Sequence, residues 1–103
     1  MNLRFSVSLT TGARDDLLRL YDFLLETNVE TAARPLDVIS KAFKMLETFP
    51  FSCRKAAGGQ HGPRLRELVI PFGSSGYVAL FEIDGPSTVT LLAVRHQREE
   101  DYH

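Results

Sequence analysis

Two stretches of helical periodicity stand back to back in this chain, with one strand pattern before them and three after. From about Ala13 to Thr27, Leu17, Leu20, Tyr21, Leu24 and Leu25 fall at helical spacing and form one oily stripe. From about Glu30 to Thr48, Leu36, Ile39, Ala42, Phe43 and Leu46 form a second stripe, opposite Asp37, Lys41, Lys44 and Glu47. Helices joined by so short a link pair as an antiparallel hairpin. A hairpin of this kind must still bury its stripe against something else.

The strand patterns supply that surface. Leu3 to Leu9 alternates apolar and polar residues. Leu65–Ile70, Tyr77–Ile83 and Val89–Val94 read as three more strands, separated by Phe72–Gly76 and by Asp84-Gly85-Pro86-Ser87. Short links imply an antiparallel meander. The last strand is almost continuously apolar, so it is expected at the centre of the sheet, covered on both faces. The expected fold is therefore α+β, ordered β-α-α-β-β-β: an antiparallel sheet with a helix hairpin on one face. With 103 residues and no repeat or composition break, a single domain spanning 1–103 is expected.

Local signals refine this reading. Thr11 suits a helix N-cap, and Asp15 and Asp16 suit the first turn. Pro35 requires the second helix either to begin near Arg34 or to bend. Phe51–Pro63 reads as a loop carrying Gly58-Gly59 and Gly62-Pro63.

Composition narrows function. Twelve Lys and Arg against thirteen Asp and Glu give a net charge of -1, which argues against coating a nucleic acid by bulk charge. A single cysteine, Cys53, allows no internal disulfide, and no Cys/His cluster has zinc spacing, so neither metal nor cofactor is expected. Cys53 reads as passive packing. The N-terminus lacks a signal-peptide core and no apolar run reaches bilayer length, so a cytoplasmic protein without a membrane partner is expected.

Charge is nevertheless uneven. Ser52 to Arg66 carries Arg54, Lys55, Arg64 and Arg66, no acid, and His61 besides. Arg64 and Arg66, two apart on a strand, share a face and suit bidentate contact with phosphate or carboxylate. A plain solvated edge would show the same residues. A second candidate follows the last strand. Arg95, His96, Arg98 and Tyr102 suit cleavage of an RNA phosphodiester, with histidine moving the proton and arginine stabilising the charge. Glu99, Glu100 and Asp101 oppose an anionic substrate there. Tyr77 suits either base stacking or a place in the core, and the core is the commoner fate.

These residues, in this order, resemble the RelE/ParE superfamily of bacterial toxins, also labelled plasmid stabilisation proteins. The resemblance is carried by Ala13-Arg14-Asp15-Asp16-Leu17, Leu46-Glu47-Thr48-Phe49-Pro50, Arg64-Leu65-Arg66-Glu67-Leu68, Gly76-Tyr77 and the run Leu91 to Glu99, which enters Arg-His-Gln-Arg. It spans nearly the whole chain. It implies a growth-arresting toxin of a type II toxin–antitoxin module, neutralised by a cognate antitoxin in a hetero-oligomer. ParE-like members inhibit DNA gyrase. RelE-like members cut mRNA in the ribosomal A site. On the RelE pattern, Arg64 or Arg66 matches a basic position, His96 stands where a catalytic arginine is common, and Tyr102 lies near the terminal tyrosine. Only Lys55 occupies the loop that is lysine-rich in ribosome-dependent nucleases, and the net charge is low, so the ParE-like branch is favoured. Leu18, Leu25, Val38 and Met45, off the main stripes, are candidates for antitoxin contact.

Overall fold

The computed structural model describes residues 4–27, 29–56, 64–73 and 75–97. Its elements are β1 (Ser6–Leu9), α1 (Thr11–Thr27), α2 (Val29–Met45), a short 3-10 turn (Pro50–Ser52), β2 (Arg54–Lys55), β3 (Leu65–Phe72), β4 (Ser75–Asp84) and β5 (Thr88–His96). The strands form one sheet in the order β1-β5-β4-β3-β2. α1 lies over β5 and α2 over β3, so both helices cover the same face.

The α+β reading holds, with one correction to the sheet. It is mixed, not antiparallel, because β1 pairs with β5 in parallel, Ser6 opposite Thr88 and Leu9 opposite Leu91. A parallel neighbour needs a long crossover, and here the whole chain from Thr10 to Ser87 serves as one. The remaining pairs are antiparallel, and they include the two-residue β2 inside the stretch expected to be loop.

The strand buried on both faces is β4, not β5. Gly76 through Phe81 are all buried, whereas burial alternates in the first half of β5. β4 is the middle strand of five. β1 covers only Thr88–Leu91 of β5. Phe81, Ala79 and Tyr77 of β4 meet Leu68, Ile70, Val89, Leu91 and Val94 in the core, with Leu20, Ile39 and Leu46 from the helical side. Tyr77, 4% exposed, is thus a core residue.

Helix ends also differ from expectation. The N-cap of α1 is Thr10, whose hydroxyl accepts the Ala13 N–H at 3.1 Å. α2 runs through Pro35, which is fully buried, and ends at Met45 before a turn that sets Leu46 into the core. β3 continues through Pro71 to Phe72, which leaves a short reversal with Gly73 at φ 62°.

Candidate functional site

A register shift between Leu80 and Phe81 decides where the last candidate residues point. Before it, Phe81 faces Leu91 and Ile83 faces Val89. After it, Leu80 faces Ala93, Ala79 faces Val94 and Tyr77 faces His96. Leu92 is the extra residue of a β-bulge. Strict alternation from Val89 and Leu91 would send Ala93 and Arg95 toward the helices. The bulge sends Val94 and His96 there instead, and turns Arg95 to the opposite face beside Val78.

The bulge is tied to α1. The Thr10 hydroxyl, which caps the helix, also donates to the Leu92 carbonyl at 3.2 Å. Beyond it, where β1 no longer covers the edge of β5, α1 side chains take the place of a strand. The Val94 N–H donates to the Asp16 carboxylate at 2.9 Å, and the Arg19 guanidinium donates to the Val94 carbonyl at 3.4 Å. Asp16 and Arg19 stand 3.8 Å apart, one turn from each other on α1. Asp16 is therefore a buried partner of the sheet, not a first-turn dipole group. Its signal in the sequence is an i,i+3 acid–arginine pair on a face otherwise apolar.

His96 thereby enters a cavity of about 560 Å³ between α1 and the sheet, lined by Arg19, Leu20, Phe23, Leu24, Phe72 and Tyr77. Its Nε2 is 3.2 Å from the Ser75 hydroxyl, and its ring meets Tyr77 edge-on at 5.4 Å. Burial pushes the Tyr77 phenol above its usual range. Sequence spacing offers Ser75 no histidine partner and does not mark Arg19 at all; both reach the site only through the tertiary fold.

The basic candidates sit at the other end of the sheet. Leu65, which follows Arg64, faces Glu82, and Arg66 faces Phe81. From Phe81 to Tyr77 is four strand residues, roughly 13 Å at 3.3 Å each, and β3 and β5 flank β4 on opposite sides. Arg66 and His96 share the helix-bearing face but not a site. Arg66 donates to the Cys53 carbonyl at 2.7 Å and lies 5.5 Å above the Phe51 ring. Arg54 pairs with the buried Glu67 at 3.2 Å. Arg64 is exposed. Burial raises the Cys53 thiol above its usual range while the Arg66 charge pulls it back, which fits a quiet packing thiol. Arg98, Tyr102 and His61 lie outside the described residues. Among the described residues there is no cluster of His, Cys, Asp or Glu able to hold a metal. Nor is any described helix long and apolar enough to cross a membrane.

A third region is apolar. Arg14, Leu17, Leu18, Tyr21, Leu36, Ile39, Ser40 and Phe43 line a groove of about 600 Å³ along the helix hairpin. Leu18 is 60% exposed, whereas Val38 packs on the core.

Residues 7–101 match the family model described as "ParE toxin of type II toxin-antitoxin system, parDE". Toxin RelE1 of Caulobacter vibrioides is 32% identical over 98 residues, covering 95% of this chain and 99% of the relative. Toxin RelE3 of the same organism is 33% identical over 95 residues, covering 91% and 96%. Among solved structures, a chain of the chromosomal ParDE toxin–antitoxin system from P. aeruginosa superposes with a TM-score of 0.70 at 20% identity, covering 92% of this chain and 98% of that one. A chain of the RelBE2 toxin–antitoxin complex from Mycobacterium tuberculosis gives 0.59 at 26% identity, covering 96% and 98%.

Proposed function

The chain belongs to the ParE toxin family of type II toxin–antitoxin systems, and from that premise we propose that it arrests growth by inhibiting DNA gyrase. It acts as a single cytoplasmic domain, without cofactor, until a cognate antitoxin silences it. The observation that carries the choice of gyrase is the separation of the charged candidates. A ribosome-dependent nuclease needs its general acid or base and its phosphate-binding arginines around one scissile bond. Here Arg66 is bound to backbone carbonyls and Phe51 roughly 13 Å of strand away from the level of His96. The matching family model is that of ParE, the branch whose resemblance implies gyrase.

The antitoxin reading rests on the exposed apolar groove of the helix hairpin, the kind of surface that a segment folding on contact would cover. The two structural relatives both come from toxin–antitoxin systems.

A second reading has its own support. The relatives in Caulobacter carry the RelE name, and His96 stands beside Ser75 and Arg19 in a concave site. In that reading Arg64, Arg66, His96, Arg98 and Tyr102 would cut ribosome-bound mRNA. Supercoiling and translation assays on one preparation separate the two. Loss of supercoiling with intact mRNA supports gyrase. A-site cleavage lost on changing Arg64, His96 and Tyr102 together overturns it.

A further inference from the structure

We propose that the end of the molecule opposite His96 is its target-docking surface, and that it fits an apolar recess rimmed by carboxylates on a partner protein. If the gyrase reading holds, on which this identification rests, that recess belongs to gyrase. Three large apolar side chains stand out from one tight turn: Met45 is 41% exposed, Phe49 57% and Phe51 62%. The turn is fixed, since the Phe49 N–H donates to the Met45 carbonyl at 2.9 Å and the Ser52 N–H to the Phe49 carbonyl at 3.2 Å. Phe51 is oriented as well. Phe5 meets it edge-on at 5.9 Å and the Arg66 guanidinium covers it at 5.5 Å. Rigid aromatic anchors lose little side-chain entropy on binding, and Phe, Met and Arg are the residue types enriched at protein interfaces.

Charge selects the partner. Arg54, Lys55 and Arg64 are exposed beside this turn, and Ser52 to Arg66 holds no acid. Of the nearby acids, Glu67 is buried and paired with Arg54, and Glu47, in the turn itself, is half-buried, so the surplus positive charge rests on Lys55 and Arg64. Such a rim complements carboxylates at contact distance. A protein is favoured over a nucleic acid because the whole chain carries -1, leaving no long-range attraction to a polyanion.

The test uses the double variant Phe49→Ser/Lys55→Glu, both exposed positions, purified alongside wild type. Half-inhibition of gyrase supercoiling should need about tenfold more variant, as expected for loss of an aromatic anchor. Antitoxin binding and melting temperature should be unchanged. Equal potency of variant and wild type overturns the docking surface and leaves the gyrase reading standing. A wild type that does not inhibit supercoiling overturns both. Binding of a labelled single-stranded oligonucleotide, weakened tenfold in the variant, would overturn the protein partner in favour of nucleic acid.

Discussion

The two ends of β4 share one sheet face and are finished in opposite ways. At the Tyr77 end, the Val94 N–H and carbonyl are taken up by α1 side chains and the Tyr77 and His96 rings meet edge-on, although Phe23 at the mouth of the same cavity is exposed. At the Glu82 end, two phenylalanines and a methionine stand in solvent beside unburied cations. The first arrangement blunts a sheet edge that would otherwise pair with another chain. The second leaves apolar surface that folding does not require. The contrast teaches that stability and contact with a target are concentrated at different ends. Substitutions at the closed end should therefore cost folding, and those at the open end should cost activity.

The largest effect is expected at Gly76. A Cβ there would stand 2.1 Å from the Ile70 carbonyl oxygen and 3.0 Å from the Phe72 nitrogen. Both are backbone atoms of the paired strand, which cannot turn aside as a side chain can. Gly76→Ala should lose about 3 kcal/mol in urea unfolding, the upper range for a forced core contact. Stability within a few tenths of wild type would show that the hairpin yields, and that the closed end is less rigid than its contacts imply.

Asp16 comes next. Asp16→Ala leaves the Val94 N–H buried without its acceptor, at an expected cost of about 2 kcal/mol. Asp16→Asn keeps a carbonyl oxygen in the same place and should recover about half of that. Equal losses in the two variants would assign the effect to charge and not to the hydrogen bond.

These two positions also mark where sequence reading succeeded and where it could not. The helix pair, the three-strand meander and the turn at Asp84–Ser87 were legible because each is a local matter of period or turn chemistry. The bulge at Leu92 was not, because the run Leu91-Leu92-Ala93-Val94 is apolar at every position and hides a change of phase. That phase alone sends His96 inward and Arg95 outward. The parallel partner of β1 was hidden too, since direction is set by the parity of all later strands and not by Ser6–Leu9 themselves. For the same reason, residue type alone pools Arg66 with His96, while register separates them.

Cys53 offers the smallest but most local probe of the open end. Its thiol is raised mainly by burial, and the Arg66 charge works against that rise. The pH midpoint of alkylation should therefore lie above the usual range for an exposed cysteine, near 8.5. Arg66→Met removes the opposing charge, so the midpoint should move further up, not down. The same change frees the Cys53 carbonyl and uncovers Phe51, which would speed alkylation at every pH. The plateau rate reports exposure, and the midpoint reports the balance of burial against the Arg66 charge. A midpoint that falls in the variant would mean that Arg66 contributes mainly by excluding water, and that the cationic rim begins at Arg54, Lys55 and Arg64 alone.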